Sequence, residues 1–250
     1  MDLAILYEDS DIVAVNKPAG LLTHVAHVRE ADSHNSTSAE EWFRAKYPEV
    51  ALERPYAHRL DRETSGVLVF AKNQTAYDFL RKAFTDREVK KTYLAMVYGV
   101  PKEKKGIIDF DIGRSRKDFR LRSAQPKARG TLRAAITRYE VVGEMQLDGH
   151  LSRAGSREKY ALLELHPETG RTHQIRVHLK AIHHPIVGDK LYAGKRSSVS
   201  PGLRSFSEVG LALHAYSLDF PLPSGARREI VAPVPPDLAT VLARFPRARE

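Results

Sequence analysis

The sequence contains no cysteine. This absence excludes disulfide bonds, thiolate nucleophiles and zinc sites with thiolate ligands. No apolar stretch approaches the roughly 20 residues that a membrane-spanning helix requires. The apolar run after Met1 lacks both the basic segment and the length of a secretory signal. We therefore expect a cytoplasmic protein, with no membrane association, whose chemistry does not use a thiol.

The composition is that of a soluble globular protein, with 42% hydrophobic and 28% charged residues in a chain of 250. This length permits one large domain or two small subdomains. The net charge is +9, and residues 102–133 hold 11 Lys and Arg against 4 Asp and Glu, a net of +7. Such concentrated charge favours a polyanion, most commonly nucleic acid, as the partner. The alternative is a solvated basic surface that serves solubility.

The hydrophobic pattern predicts more strands than helices, joined mostly by hairpins, so an α+β fold is favoured over a doubly wound one. Glycine and proline in the basic segment predict short hairpins there. Ser38 and Thr172 are the expected caps of the first and third helices. The predicted strands cover residues 3–7, 12–16, 67–71, 92–98, 134–142, 159–165 and 211–220. The predicted helices cover residues 38–47, 76–84, 172–182 and 235–245.

One carboxylate, Asp61, stands between Arg59 and Arg62 in the segment His58-Arg59-Leu60-Asp61-Arg62-Glu63-Thr64-Ser65-Gly66, just before a predicted strand. An acid placed among cations remains ionised even when it is partly desolvated, which is what a nucleophilic or basic carboxylate needs. A surface cluster of ion pairs in front of a core strand explains these nine residues equally well.

Two further segments concentrate chemistry-bearing side chains. In Gly170-Arg171-Thr172-His173-Gln174-Ile175-Arg176-Val177-His178-Leu179, helical spacing predicts one basic side and one core side. In Lys91-Thr92-Tyr93-Leu94-Ala95-Met96-Val97-Tyr98-Gly99, alternation predicts a strand that carries Tyr93. Taken separately, an ordinary amphipathic helix and a packed tyrosine account for both. The histidines His173, His178, His183 and His184 lack the spacing and acidic companions of a metal site, so no metal is predicted.

Taken together and in this order, the three segments resemble the RluA-type pseudouridine synthases. Asn16-Lys17-Pro18-Ala19-Gly20-Leu21, His184-Pro185-Ile186-Val187-Gly188-Asp189 and Leu213-His214-Ala215 also match. The resemblance covers nearly the whole chain. It implies an α+β pseudouridine synthase fold with a bisected mixed, mainly antiparallel β-sheet, flanking helices and a central catalytic cleft. It also implies that uridine in RNA is isomerised to pseudouridine without cofactor or metal.

The resemblance implies three catalytic residues. Asp61 matches the essential aspartate, Tyr93 the tyrosine that packs on the target base and takes the C5 proton, and Arg176 the arginine that pairs with the aspartate. Arg59 matches a side chain that enters the RNA stack where the target base leaves. The remaining substrate-binding residues expected from the matching segments are His58, Arg62, Thr64, Arg171, His173 and Ile175.

Elementary chemistry agrees with this assignment. The N1–C1′ bond of the nucleotide must break and a C5–C1′ bond must form, so no redox step is needed. A stacked base is inaccessible and must be flipped into a pocket. The carboxylate can act either as nucleophile at C1′ or as base at C2′, and the residues alone leave both open. Basic residues between 102 and 133 are expected to bind phosphates, which adds affinity without sequence information.

The expected organisation is a single catalytic domain over residues 1–250, with two closely packed subdomains and no separate N-terminal RNA-binding domain. We expect a monomer that acts on structured ribosomal or transfer RNA. Specificity is then expected in the loops at residues 24–38, 143–157 and 194–210. Two rival functions are a non-catalytic RNA-binding or chaperone protein on the same fold and a metal-dependent hydrolase that uses the histidines.

Overall fold

A computed structural model describes residues 2–25, 37–116, 118, 121–124, 126, 128–148, 157–194 and 210–246. Its strands are β1 (Ala4–Glu8), β2 (Ile12–Lys17), β3 (Ser65–Ala71), β4 (Lys90–Tyr98), β5 (Lys105–Asp109), β6 (Ile112–Ser115), β7 (Arg122–Ala124), β8 (Ala128–Arg133), β9 (Ile136–Asp148), β10 (Arg157–Pro167), β11 (Leu213–Pro221) and β12 (Arg227–Val231). Its helices are α1 (Ala39–Lys46), α2 (Gln74–Thr85), α3 (Gln174–Ala181) and α4 (Pro236–Leu242). The predicted α+β class is confirmed.

The chain divides into two compact units, residues 1–91 with 215–233 and residues 92–214 with 234–250. In the first unit the strands follow the order β1-β2-β3-β11, and β12 pairs with β11. The pairs β1–β2, β2–β3 and β11–β12 are antiparallel. All seven residues of β3 are buried, because apolar side chains cover both of its faces. The strand that follows Asp61 is therefore held at the centre of this unit.

Helix α1 of the first unit begins where the sequence predicts. The Ser38 side chain accepts a hydrogen bond from the Glu41 N–H, and the Glu41 carboxylate accepts one from the Ser38 N–H. This reciprocal arrangement satisfies two amide groups that the helix cannot pair itself. Trp42 and Phe43 then face a cluster of buried side chains that includes Phe70 of β3. The helix thus covers one face of the sheet.

The second unit contains the strand order β4-β10-β9-β5 and a separate three-stranded sheet, β7-β6-β8. Strands β9 and β10 form a long antiparallel pair from Thr137 opposite Pro167 to Asp148 opposite Arg157. The predicted pairing of residues 134–142 with 159–165 is confirmed, although the strands extend further than the sequence indicated. The tip between them, residues 149–156, lies outside the described residues, as do most of the candidate specificity loops at 24–38 and 194–210.

The basic segment forms strands β5 to β8, as its glycines and prolines predict. One face of the sheet β7-β6-β8 buries Ile112 and Ala124 in a cluster with Val177 of α3 and Tyr192. The small sheet is therefore anchored on the third helix. Within the described ranges, no helix has the length and apolar character needed to cross a bilayer.

Candidate functional site

Asp61 lies half-buried in the loop that leads into β3, and this loop is held by the buried side chain of Lys17. The Lys17 Nζ donates hydrogen bonds to the carbonyl oxygens of Pro18 (2.9 Å), Leu21 (2.8 Å) and Arg62 (3.2 Å). Three acceptors match the three N–H groups of an ammonium ion. The segment 16–21, which the sequence analysis singled out, thus contacts the residue directly after Asp61.

Further contacts fix the backbone on both sides of Asp61. The Thr23 hydroxyl donates to the Leu60 carbonyl (3.0 Å) and accepts from the Leu60 N–H (3.1 Å). The Gly20 N–H donates to the Arg62 carbonyl (2.9 Å), and the Arg62 Nε donates to the Gly20 carbonyl (3.0 Å). Both neighbours of Asp61 are thereby tied to the loop after β2. Such pre-organisation is what a catalytic carboxylate requires of its support.

The charge of Lys17 faces opposing influences. Burial lowers the pKa of Lys17 to about 7, whereas the carboxylates of Asp61 and Glu63 act in the opposite direction. The three carbonyl acceptors favour the ammonium form, because hydrogen bonds from a charged donor are stronger than those from a neutral amine. With a pKa of about 7, Lys17 exchanges between the ammonium and the neutral amine near neutral pH.

His58 is half-buried behind the same loop. Its Nε2 accepts a hydrogen bond from the Val69 N–H (3.1 Å), and its ring stacks on Phe84 with centroids 4.9 Å apart. Burial, assisted by the charge of Lys91, lowers the pKa of His58 to about 3. His58 is therefore a neutral residue that supports β3, and its expected contact with substrate stays a prediction.

The last residue of the Asp61 segment, Gly66, must be a glycine for steric reasons. Its φ is +122°, and a Cβ placed there would lie 2.1 Å from the carbonyl oxygen of Ala215. Only glycine permits this close approach between β3 and β11. The Thr64 N–H donates to the Asp61 carbonyl (3.1 Å), and both Thr64 and Ser65 are buried. The loop therefore passes into β3 with no freedom for a larger residue at position 66.

Tyr93 belongs to the second unit and lies on β4 opposite Leu165 of β10. It is half-buried and packs against the main hydrophobic core of that unit. The strand position predicted from the alternating sequence is confirmed. The catalytic role of Tyr93 stays a prediction.

The third helix differs from its prediction in two respects. Its N-cap is His173, with a left-handed φ of 55°, so Thr172 is not the cap and that prediction was wrong. The helix is also not amphipathic, because every residue from Gln174 to Leu179 is buried. Buried partners satisfy its polar side chains: Gln174 contacts Thr169 and Thr137. His178 contacts the Thr137 hydroxyl and the Phe110 carbonyl. Tertiary contacts here override the helical pattern.

Arg176 is buried on α3 and makes a bidentate ion pair with Asp189. Its Nε lies 2.9 Å from the Asp189 Oδ2, and its Nη2 lies 2.9 Å from the Asp189 Oδ1. A paired geometry of this kind offsets the cost of burying both charges and fixes the plane of the guanidinium. Arg176 is thus a rigidly held cation in the second unit.

Three arginines stand side by side across the sheet β7-β6-β8. Arg114 of β6 is directly opposite Arg122 of β7 and Arg129 of β8, so the three side chains share one face. Arg114 and Arg129 are exposed. Among the residues that the structure describes, no carboxylate forms an ion pair with this arginine row. Like charges directly opposite one another destabilise a sheet, so this row is suited to an external anion.

Two lysines at the start of β5, one just before the strand and one its first residue, have partners of their own. Lys104 pairs with Glu144, and Lys105 pairs with Glu140 at 2.9 Å. Both lysines are largely exposed, so each pair contributes little to stability. Among the described residues, carboxylates therefore neutralise the charge at β5 and do not neutralise that of the arginine row.

The other predicted substrate-binding residues lie in both units. Arg59 is exposed in the first unit, while Arg171 donates from Nε to the Ala134 carbonyl (3.0 Å) in the second. Ile175 is buried in the core of the second unit. Asp61 belongs to one unit, and Tyr93 and Arg176 belong to the other, so their joint action stays a prediction. In the described part of the chain, no group of three or more His, Asp or Glu side chains is arranged to hold a metal.

Sequence reasoning did not assign roles to Lys17, Thr23 or Asp189. Lys17 and Asp189 lie in segments that matched the family. The available signal was a charged residue directly beside a proline or a glycine, as in Lys17-Pro18 and Gly188-Asp189. Thr23 gave no signal, because its hydrogen bonds with Leu60 join residues 37 positions apart.

Residues 11–181 match the protein family described as RNA pseudouridylate synthase. A Synechocystis protein described as an uncharacterized RNA pseudouridine synthase is 36% identical over 239 residues, covering 93% of this chain and 66% of that protein. A Mycobacterium bovis protein with the same description is 38% identical, covering 96% of this chain and 72% of that protein. The chain thus spans about two thirds to three quarters of the length of these relatives.

The ribosomal large subunit pseudouridine synthase D of Borreliella burgdorferi is 31% identical, covering 99% of this chain and 70% of that protein. The solved structure of human RNA pseudouridylate synthase domain containing 1 is 26% identical, with a TM-score of 0.72. That alignment covers 99% of this chain and 97% of the human one. The order of motifs, the fold and these similarities agree: the chain belongs to the RNA pseudouridylate synthase family, in its RluA-type group.

Proposed function

We propose that this protein converts specific uridines in structured ribosomal or transfer RNA to pseudouridine, with Asp61 as the essential carboxylate. The observation that carries the proposal is the support around Asp61. Both of its neighbours are bonded to the loop after β2, and a buried lysine contacts the residue that follows it. A surface salt bridge would not need such a frame, whereas a catalytic group must be held within a fraction of an ångström.

The proposed reaction is an isomerisation, so its atoms balance without a co-reactant. The N1–C1′ bond of the flipped nucleotide breaks, the uracil turns, and C5 bonds to C1′. The proton on C5 leaves, and N1 gains one. Asp61 acts on the sugar, either by attack at C1′ or by removing the C2′ proton. The structure of the loop is compatible with both routes.

Tyr93 and Arg176 are proposed to act on the same nucleotide as Asp61. The Tyr93 ring offers a face for the loosened uracil, and its hydroxyl is the proposed acceptor of the C5 proton. Arg176 supplies a fixed positive charge for Asp61. Its ion pair with Asp189 supports this role, because the plane of the guanidinium is set by a partner other than the substrate. The two units then work as one catalytic domain in a monomer.

RNA binding is proposed to depend on the arginine row of β6, β7 and β8. Three arginines on one face of neighbouring strands present several charges together, and arginine binds phosphate in a bidentate manner. This contact positions RNA without reading its sequence. The exposed Arg59, together with Arg62, His58, Thr64, Arg171, His173 and Ile175, belongs to the proposed surroundings of the target nucleotide. Base flipping, a cytoplasmic location and independence of metal are parts of the same proposal.

The test is release of tritium from RNA labelled at uridine C5. The substrates are transcripts of ribosomal and transfer RNA from the source organism, which also distinguishes the two RNA classes. We expect turnover by the wild-type protein, none by Asp61→Asn, and unchanged RNA binding by that variant. The matched control is Glu63→Gln, which removes an exposed carboxylate two residues away. Full activity of Asp61→Asn, or equal loss in Glu63→Gln, would refute the assignment.

A further inference from the structure

Tyr192 occupies a buried position that links Arg176 to the small basic sheet. Its ring lies beneath the guanidinium, with the Arg176 Cζ 5.1 Å from the ring centroid. Its backbone N–H donates to the Asp189 Oδ1 (3.0 Å), the same oxygen that accepts from the Arg176 Nη2. Arg176, Asp189 and Tyr192 therefore form one packed group, in which the tyrosine contacts both members of the ion pair.

The hydroxyl of Tyr192 reaches the opposite side. It accepts a hydrogen bond from the Arg122 N–H of β7 (3.0 Å) and lies 2.8 Å from the His173 Nδ1. The hydroxyl thus accepts from the Arg122 N–H and also forms a hydrogen bond with the His173 ring. The ring also packs with Ile112 and Ala124 of the small sheet. The Tyr192 side chain thus forms hydrogen bonds both with β7, through Arg122, and with His173 at the start of α3.

The shared face of the small sheet makes this link relevant to RNA. Alternation along β7 places Arg122 on the face of Ala124, and pairing places Arg114 and Arg129 on that face as well. The arginine row and the Tyr192 contact therefore meet at Arg122, whose side chain belongs to the row and whose backbone N–H donates to the Tyr192 hydroxyl. A shift of this sheet relative to α3 must alter the hydroxyl contacts of Tyr192.

We propose that Tyr192 is a positioning residue, which holds the guanidinium of Arg176 in register with the arginine row of the small sheet. The inference rests on the proposed function, since it gives Arg176 a task in the reaction. In this arrangement the RNA backbone and the cation that serves Asp61 are located by one rigid element. Tyr192 itself touches neither the reacting atoms nor the phosphates.

The test compares Tyr192→Phe with Tyr160→Phe. The first keeps the ring under Arg176 and removes only the hydroxyl contacts. The second removes the hydroxyl of another buried tyrosine in the same unit, where it bonds to Glu158. With C5-tritiated transcripts, we expect Tyr192→Phe to lower kcat by about 10- to 100-fold, as small misplacements do. Its KM and RNA affinity should stay within about twofold of wild type, and Tyr160→Phe should retain the wild-type kcat.

Coupling to Arg176 is measured with a double-mutant cycle. If Tyr192 acts through Arg176, then Tyr192→Phe has no further effect on kcat in an Arg176→Lys background. A second variant covers the case in which Tyr192→Phe does not fold. His173→Ala removes the partner of the Tyr192 hydroxyl and leaves the tyrosine in place. At saturating RNA, we expect His173→Ala to lower kcat in the wild-type background and to have no further effect in an Arg176→Lys background, and an unaffected kcat would overturn the inference.

The outcomes separate the two claims. No turnover by the wild-type protein would overturn the proposed function and this inference with it. Wild-type turnover with an unaffected kcat in Tyr192→Phe would overturn the inference alone. Three other results would also overturn it. Equal losses of kcat in Tyr192→Phe and Tyr160→Phe would indicate a merely structural role. An effect on KM alone would indicate a substrate-binding role, and additive effects in the double-mutant cycle would show that Tyr192 does not act through Arg176.

Discussion

Protonation of His58 is expected to make the protein sensitive to mild acid. Burial lowers the pKa of His58 from 6.5 to about 3, and its Nε2 already accepts the Val69 N–H. Between pH 6.5 and pH 3, His58 is mostly protonated in the unfolded chain and mostly neutral in the folded chain. The unfolded state then holds more protons, so the free energy of unfolding falls as pH falls from 6.5 to 3.

The magnitude follows from the two pKa values. At 1.4 kcal/mol per unit, the loss attributable to His58 is about 2 kcal/mol at pH 5. It reaches about 4 kcal/mol at pH 3, where the folded form is itself half protonated. Two kilocalories is a large share of the stability of an ordinary domain, roughly 5–15 kcal/mol.

The assay is urea unfolding at pH 7 and at pH 5, with His58→Gln as the variant. The glutamine carbonyl can still accept the Val69 N–H but does not titrate in this range. We expect wild type to lose about 2 kcal/mol more than the variant between the two pH values. His166→Gln, which removes an exposed histidine beside Glu164, should follow wild type. The reasoning is refuted if His58→Gln loses stability with acid as steeply as wild type.

Three further substitutions test the frame and the RNA surface. Lys17→Met removes the Nζ donor from the carbonyl oxygens of Pro18, Leu21 and Arg62, although the Arg62 oxygen still accepts from the Gly20 N–H. We expect urea unfolding to show a loss of about 2 kcal/mol, and a gain would mean that burying the ammonium costs more than its hydrogen bonds return. Gly66→Ala should cost about 3 kcal/mol in the same assay because of its backbone clash, whereas Gly225→Ala, at a positive φ in open space, should cost about 1 kcal/mol. Arg114→Ala should reduce the slope of log affinity against log salt by about one in RNA titrations. Arg138→Ala, which removes a cation paired with Glu168, should leave that slope unchanged, and equal slopes for both variants would contradict the arginine row as the phosphate site.

Local signals in the sequence were sufficient for most of the elements. Ser38 followed by Glu41 predicts the start of α1 because the capping contacts lie within four residues. The apolar run after Gly66 predicts β3, and alternation predicts β4. Strand β12 was missed, since its five residues, Arg-Arg-Glu-Ile-Val, include only one buried side chain. Elements whose stability depends on nearby residues were therefore predictable, and a mostly polar strand was not.

The sequence predicted which residues belong to the candidate site, but it did not predict which side chains hold them in place. The clustering of Asp61 with two arginines, and the ordered match of three segments, came from the sequence alone. The partner of Arg176 within the second unit, Asp189, depends on a contact across 13 residues. The complete burial of α3 was also not predicted. Its helical pattern indicates one solvent-facing side, but Gln174 and His178 on that helix are buried because they form hydrogen bonds with buried partners.

The amino-acid order by itself determined the α+β class, the family, the positive charge of residues 102–133 and the identity of the candidate carboxylate. Each of these depends on composition or on short segments of chain. Only the tertiary structure decided that Lys17 holds the Asp61 loop, that Gly66 must lack a side chain, and that three arginines lie in a row. Those facts depend on which strands and loops become neighbours, and long-range burial, hydrogen bonding and strand register set that choice.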